Sequence, residues 1–129
     1  MSPLEKVIVG MAAEKNVTVT PEMSVGHVVP GMPAVYGTPM MILHMEMASG
    51  SAIAPFLPAA YVSVGMAVNV RHLTATPVGR TVRAIARVAR VEDKSILFGS
   101  RHGTAAARLA TAPTDAALSM SPNSRSGLA

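Results

Sequence analysis

A segment rich in apolar residues runs from Pro39 to Ala54, and its apolar side chains occupy every angle of a helical projection. Thr38 is a typical N-cap, and Pro39 suits the first helical turn, where a missing N–H is no loss. A helix that is apolar all round is either a membrane span or a buried helix. The segment has 16 residues, fewer than the roughly 20 that a bilayer requires. We therefore predict a core helix that is buried on all sides.

Glu46 is the only Asp, Glu, Lys or Arg between Glu22 and Arg71. A carboxylate in apolar surroundings costs free energy unless it is paired, protonated or open to water at a pocket. A carboxylate that reaches solvent at the helix surface is the simpler interpretation, but the pattern provides no polar face. The pattern therefore favours a functional Glu46. His44 is two residues earlier and faces roughly the opposite side of the helix, so we interpret it as structural.

Alternating apolar and polar positions predict β-strands on both sides of this helix. The predicted strands cover residues 16–20, 62–72, 81–91 and a third long strand that starts at residues 95–98; residues 25–29 are predicted to continue the first hairpin. In 62–72, one face is expected to pack on the helix. That face carries Val62, Val64, Met66, Val68, Val70 and His72.

The character of the chain changes after Phe98. Residues 1–98 contain sixteen valines, whereas residues 99–129 contain no valine, isoleucine or aromatic residue. We therefore predict a domain over 1–98 and a divergent, weakly ordered tail over 99–129, with no strand and with a short helix near residues 104–111. Such a tail would leave the sheet one strand short, with an exposed edge.

Composition narrows the classes of function. A chain of 129 residues fits one domain with a real core, and its net charge of +4 fits anionic partners. The absence of a Lys/Arg run and of interleaved aromatic residues argues against nucleic acid. The absence of Cys excludes disulfides, Cys-based zinc sites and thiol nucleophiles. The N-terminus shows no clear export signal, so we expect a cytoplasmic protein without a membrane partner. His27, His44, His72 and Glu46 have no recognised metal-ligand spacing, and we predict no metal.

The segments VYGTPMMILHME and VGMAVNVRHLTATPVGRTV resemble the hotdog-fold thioesterases related to fluoroacetyl-CoA thioesterase, over roughly residues 17–98. The resemblance depends on a Thr at the mouth of the helix, a Glu eight residues later, and a Gly seven residues before a His. These marks are Thr38, Glu46, Gly65 and His72. The resemblance implies an α+β hotdog fold, in which a curved antiparallel sheet wraps the central helix. It also implies a homodimer that hydrolyses an acyl-CoA thioester.

The resemblance implies Thr38, Glu46 and His72 as catalytic residues and Gly65 as a substrate-binding residue. Glu46 would activate water or attack directly, His72 would transfer a proton, and Thr38 would supply an orienting hydroxyl. No cofactor is implied beyond the coenzyme A of the substrate, and we expect a small or medium acyl group. Eight helical residues span about 12 Å, so Thr38 and Glu46 of one chain are not expected to touch. A site built from both copies of a dimer would bring them to one substrate.

Other interpretations remain open on the residues alone. The chain could be a non-catalytic hotdog module that binds acyl-CoA or an acyl carrier; a hotdog hydratase lacks support because no Asp-x-x-x-x-His pattern is present. His72 could be a satisfied core histidine, and Gly65 could serve a bulge or close packing. Arginines 71, 80, 83 and 87 could meet the phosphates of coenzyme A or form a solvated sheet face.

Overall fold

The computed structural model describes residues 3–59, 61–70, 72, 75–92, 95–103, 108–111 and 118–124. Its helices and strands, in chain order, are β1 (Ala12–Thr18), α1 (Val25–Val28), α2 (Thr38–Ile53), β2 (Tyr61–Val68), β3 (Thr81–Val91), β4 (Ile96–Gly103), β5 (Arg108–Thr111) and β6 (Leu118–Ser124). The strands form one antiparallel sheet in the order β1-β3-β4-β6-β2, and β5 pairs with β4 off this path. The long helix α2 packs on this sheet, which confirms the predicted α+β architecture.

The predicted central helix is confirmed as α2, but the role assigned to its first residue is wrong. Gly37 is the N-cap, without a capping side chain, and Thr38 is the first helical residue. Pro39 then follows within the first turn, where it removes no helical hydrogen bond. Because the Thr38 side chain does not cap the helix, its hydroxyl remains available for another partner.

One face of α2 packs against the sheet and the other does not. The buried face carries Met41, His44, Met45, Ala48, Ser49, Ala52 and Ile53. On the opposite face, Leu43 and Met47 are 44% and 40% exposed. The expectation of burial on all sides is therefore wrong for a single chain, because one sheet can cover only about half of a helix.

Strand β3 matches the prediction in both its bounds and its faces. Val82, Ala84, Ala86 and Val88 are buried while Arg83 and Arg87 are exposed, as alternation requires. Strand β1 begins earlier than predicted. Residues 25–28 form the short helix α1 rather than a strand, because Ser24 caps it by accepting a hydrogen bond from the His27 backbone N–H at 3.3 Å.

The face of residues 62–72 predicted to pack on α2 does so only near its end, where Val70 packs in a cluster with Met41 and Met45 and His72 binds Thr38. Gly65 lies against α2, whereas Val64 and Met66 are 36% and 62% exposed. The register with β6 then shifts between Gly65 and Ala67, and a shift of one residue reverses which side chains point inward. His72 lies beyond the end of β2 and outside this pairing.

The prediction of no strand beyond the start of the third long strand is wrong. Strand β4 continues to Gly103, across the boundary predicted at residue 98, and β5 and β6 follow. The helix predicted near residues 104–111 is replaced by β5 at Arg108–Thr111, and residues 104–107 lie outside the described residues. Because β6 pairs with both β4 and β2, the sheet is not one strand short. Strand formation depends on available partners more than on residue type.

Over the described ranges, no helix combines the length and the apolar character needed to cross a membrane.

The core under α2 yields a first prediction. Phe98 on β4 is fully buried, in one cluster with Ala48, Ala52 and Ala86. We expect Phe98→Ala to lower the free energy of unfolding by about 3–5 kcal/mol, because it removes apolar contacts and leaves a cavity. Urea unfolding followed by circular dichroism measures this change.

The matched control is Val28→Ala, since Val28 is 75% exposed and should change stability by no more than about 0.5 kcal/mol. A loss below about 1 kcal/mol for Phe98→Ala would contradict the assigned core.

Candidate functional site

Thr38 and His72 meet at the beginning of α2. A hydrogen bond of 2.8 Å joins Thr38 Oγ1 to His72 Nδ1. The backbone holds this geometry, since the Tyr36 N–H donates to the Thr76 carbonyl at 2.8 Å and the Val78 N–H donates to the Ala34 carbonyl at 3.3 Å. These bonds tie the segment that follows His72 to the segment that leads into α2.

Glu46 and Gly65 meet about two helical turns further along α2. A Cβ atom placed on Gly65 would lie 2.6 Å from Glu46 Oε1 and 3.1 Å from Glu46 Cδ. Real Cβ atoms essentially never approach another atom so closely. Gly65 is therefore required for the close approach of the carboxylate to β2, which explains a glycine inside a strand.

A surface cavity of about 340 Å³ opens between α2 and β2 around this carboxylate. The residues that line it combine the Glu46 carboxylate with apolar side chains, small residues and one hydroxyl. They are Leu43, Glu46, Met47, Gly50, Ser63, Val64 and Gly65. Sequence reasoning missed Leu43, Met47 and Gly50 as lining residues, although their i, i+4, i+7 spacing places them on one side of a helix with Glu46.

The four predicted site residues thus form two pairs, Thr38 with His72 and Glu46 with Gly65. Among the described residues, no hydrogen bond joins Thr38 to Glu46, in line with the rise of about 12 Å over eight helical residues. A hydroxyl–imidazole pair can transfer protons and orient an oxygen, and a carboxylate can activate water or attack a carbonyl. Each pair therefore supplies half of the chemistry needed to cleave an activated ester.

Sequence reasoning treated His44 as structural and gave Tyr36 no role, and the structure joins the two. His44 is 4% exposed and Tyr36 is 1% exposed. The Tyr36 hydroxyl is hydrogen-bonded to His44 Nδ1. Burial lowers the pKa of His44, as does the positive charge of Lys15 to a lesser extent, and burial raises the pKa of Tyr36. Both side chains are therefore uncharged at neutral pH.

The arginines of β3 lie on the face of the sheet away from α2. Arg83 forms an ion pair with Glu14 of β1, and Arg87 Nη1 donates to the Gly10 carbonyl at 3.1 Å. These contacts favour the solvated-face interpretation for both residues. Arg71 lies outside the described residues, and Arg80 is exposed.

No group of three or more His, Cys, Asp or Glu side chains within the described ranges is placed to hold a metal ion.

Comparison with known proteins places this geometry in a family. Residues 19–114 match the model of a family described as fluoroacetyl-CoA-specific thioesterase. A fluoroacetyl-CoA thioesterase of Streptantibioticus cattleyicolor is 34% identical over 94 residues, which cover 68% of this chain and 68% of that protein.

Solved structures agree with the fold. A fluoroacetyl-CoA thioesterase structure has a TM-score of 0.86 at 25% identity, covering 95% of this chain and 92% of that one. A thioesterase superfamily member from Thermus thermophilus has a TM-score of 0.83 at 26% identity, covering 96% and 89%. A hot-dog-like protein from Thermanaerovibrio acidaminovorans, at 20% identity, has a TM-score of 0.85 and covers 99% and 92%.

The family match covers most of the chain, including all four site residues, and the sheet and helix have the hotdog arrangement. The chain therefore belongs to the fluoroacetyl-CoA-specific thioesterase family and is a hotdog-fold thioester hydrolase.

Proposed function

We propose that this protein hydrolyses a small or medium acyl-CoA thioester at a site that two copies of the chain build together. The observation that carries the proposal is the division of the site residues into two pairs at separate places along α2, Thr38 with His72 and Glu46 with Gly65. A rigid helix cannot bring its own Thr38 and Glu46 to one substrate atom. A second copy of α2 can.

The edge of the sheet supports a second copy. Strand β2 is the last strand in the sheet order, and a terminal strand leaves backbone N–H and C=O groups available to another strand. Exposed apolar side chains lie on and beside this strand, and we call this group the β2–α2 apolar patch. The patch comprises Leu43, Met47, Val64, Met66 and Val68. A twofold axis would pair the same patch on both copies and bury the apolar side chains that one chain leaves in water.

Symmetry also explains how the two pairs would meet. A twofold axis perpendicular to β2 would place the two α2 helices side by side and antiparallel. If the axis passes near Ile42, Thr38 of one copy approaches Glu46 of the second copy, since both residues lie four positions from Ile42. Each dimer would then hold two complete sites.

The reaction follows from the residue types. Glu46 removes a proton from a water molecule that attacks the thioester carbonyl carbon, or Glu46 attacks that carbon itself. In both cases negative charge develops on the carbonyl oxygen. The positive end of the α2 dipole lies beside Thr38 and stabilises that oxyanion. The C–S bond then breaks, and His72 delivers a proton to the departing thiolate. Where water attacks, the products are a carboxylate and the free thiol of coenzyme A. Where Glu46 attacks, C–S cleavage leaves an anhydride between Glu46 and the acyl group, and water then cleaves it to release the carboxylate and restore Glu46. No cofactor takes part.

Similar proteins support the choice of substrate. A mutant of the fluoroacetyl-CoA-specific thioesterase, solved in complex with fluoroacetate and CoA, is 25% identical with a TM-score of 0.83. In this chain the cavity of about 340 Å³ beside Glu46 would hold the acyl group. Apolar Leu43 and Met47 in its wall suit an alkyl chain.

The first functional prediction concerns the catalytic residues. We expect Glu46→Gln and His72→Ala each to lower kcat about 10²–10⁴-fold, because each removes a proton-transfer group. Thr38→Val should also lower kcat, whereas Thr38→Ser should retain activity because it keeps the hydroxyl. Release of free thiol from acetyl-, fluoroacetyl-, butanoyl- and octanoyl-CoA measures the rates and ranks the acyl groups.

Glu14→Gln is the matched control, since Glu14 lies on β1 and pairs with Arg83 away from the site. Binding of acyl-CoA without turnover by the folded wild-type protein would favour the non-catalytic binding module instead. Full activity of Glu46→Gln would exclude the proposed role of the carboxylate.

The second functional prediction concerns Gly65. A methyl group there would collide with Glu46 Oε1, and the flexible carboxylate would have to move. We expect Gly65→Ala to lower kcat about 10- to 100-fold while the protein remains folded, since a displacement of about 1 Å costs this much. The loss should not add to that of Glu46→Gln, because both variants act through one carboxylate. Additive losses would show that Gly65 acts separately.

The third functional prediction tests the shared site. Dimers that combine one Glu46→Gln chain with one His72→Ala chain would contain one complete site and one site without either group. Random mixing makes half of the dimers hybrid, so we expect about a quarter of wild-type activity from two inactive proteins. Co-expression with two affinity tags isolates the hybrid, and its turnover is measured directly. A purified hybrid without activity would place each site within one chain.

A further inference from the structure

A buried Tyr36–His44 pair lies behind the histidine of the proposed site, and the proposed chemistry uses neither residue. Tyr36 lies two residues before the start of α2, and His44 lies within α2, six residues after Thr38. Their rings stack at 9° with centroids 5.7 Å apart, and the Tyr36 hydroxyl is hydrogen-bonded to His44 Nδ1. Side chains of this size and polarity are costly to bury unless their polar atoms are paired.

The same tyrosine ring also contacts His72. The two rings are nearly perpendicular, at 77°, with centroids 6.2 Å apart, the edge-to-face arrangement that aromatic pairs prefer. His72 is thus held from two directions. Thr38 binds its Nδ1 atom, which fixes one end of the imidazole, and Tyr36 restricts the rotation of the ring about that bond.

Tyr36 is itself held in place on several sides. Its backbone N–H donates to the Thr76 carbonyl at 2.8 Å, and its hydroxyl lies 3.4 Å from the Met40 carbonyl. Its ring is 1% exposed, in an apolar cluster that includes Met41 and Val82. A side chain with this many constraints has one conformation, so it can transmit a fixed position to its neighbour.

We propose that Tyr36 is a positioning residue that sets the orientation of the His72 imidazole, and that His44 holds Tyr36 in place through the tyrosine hydroxyl. This inference rests on the proposed function, in which His72 transfers a proton. It assigns a task to the buried His44. His44 acts two contacts away from the reacting atoms, through the hydroxyl and the ring of Tyr36.

The protonation states fit this role. Burial keeps His44 neutral and Tyr36 protonated, so the pair carries no net charge beside His72. The charged group that lowers the pKa of His44 is Lys15 on β1, and the titratable group on the other side of Tyr36 is His72 itself. The pair therefore acts on His72 by geometry, with no change in local charge.

The test combines kinetics with NMR of the histidine rings, which is practical because the chain has four histidines. We expect Tyr36→Leu to lower kcat about tenfold, with KM changed less than twofold, because ring orientation matters in the transition state more than in binding. The His72 titration should also change, because an imidazole without the tyrosine ring beside it no longer keeps its hydrogen bond with Thr38 Oγ1. Tyr36→Phe keeps the ring and should have a smaller effect on both quantities.

The control is Met41→Leu, a conservative change at a fully buried residue of the same cluster. It should lower the melting temperature without moving kcat or the His72 titration. His44→Leu and Tyr36→Phe should give losses in kcat that do not add in the double variant, because the hydroxyl and the imidazole act through one bond. This double-variant comparison still tests the inference if Tyr36→Leu fails to fold.

Three results would overturn the inference. The first is a folded Tyr36→Leu protein with wild-type kcat and an unchanged His72 titration. The second is additive losses for His44→Leu and Tyr36→Phe, and the third is a matching change in the His72 titration in Met41→Leu. The NMR measurement does not depend on catalysis. If the proposed thioesterase chemistry is wrong, the wild-type protein will be inactive, yet the His72 titration will still change in the Tyr36→Leu variant.

Discussion

The close packing of α2 on β3 is the constraint on which the remaining structure depends. At the contact, Ala48 and Ala52 of the helix share one buried cluster with Ala84 and Ala86 of the sheet. Methyl side chains let the helix approach the strand closely, and larger side chains such as Phe98 fill the space beside it. Because α2 is placed by β1 and β3, its other side is left to turn toward β2. That side carries the Glu46 carboxylate, and Gly65 removes the one side chain that would obstruct it.

The parts that local pattern determines could be predicted from the sequence. The apolar run from Pro39 to Ala54 specifies a helix of the right length, and alternation over residues 81–91 specifies a strand with the correct buried face. The four candidate site residues were chosen because their spacing resembles a known family. The structure brings them together in two pairs, and their roles stay predictions. The register shift in β2 could not be foreseen, because it arises in the pairing with β6. A bulge is a property of two strands together, and the alternation of one strand contains no sign of it.

Two other incorrect predictions, the N-cap role of Thr38 and the absence of strands after residue 98, also result from partners that are distant in the sequence. Thr38 has the residue type of an N-cap, yet His72 binds its hydroxyl, so a partner 34 residues away prevails over a local preference. Residues 118–124 have poor strand propensity, yet they pair with β2 on one side and β4 on the other. Unpaired backbone groups of two neighbouring strands favour a third strand between them, whatever its side chains. Where a partner distant in the sequence determines the local structure, the local sequence pattern cannot predict that structure.

The position of β6 between β4 and β2 has a consequence for synthesis on the ribosome. Strand β2 is made early, directly after α2, but the strand that joins it to the sheet emerges only after residues 69–117 have been added. Until then, β2 lacks its β6 partner, and loop closure between such distant segments is slow. The Glu46 carboxylate therefore meets Gly65 in its final geometry only after β6 has been made. A nascent chain that stalls before β6 would present an apolar strand with both edges unpaired, a form that chaperones bind and that aggregates readily.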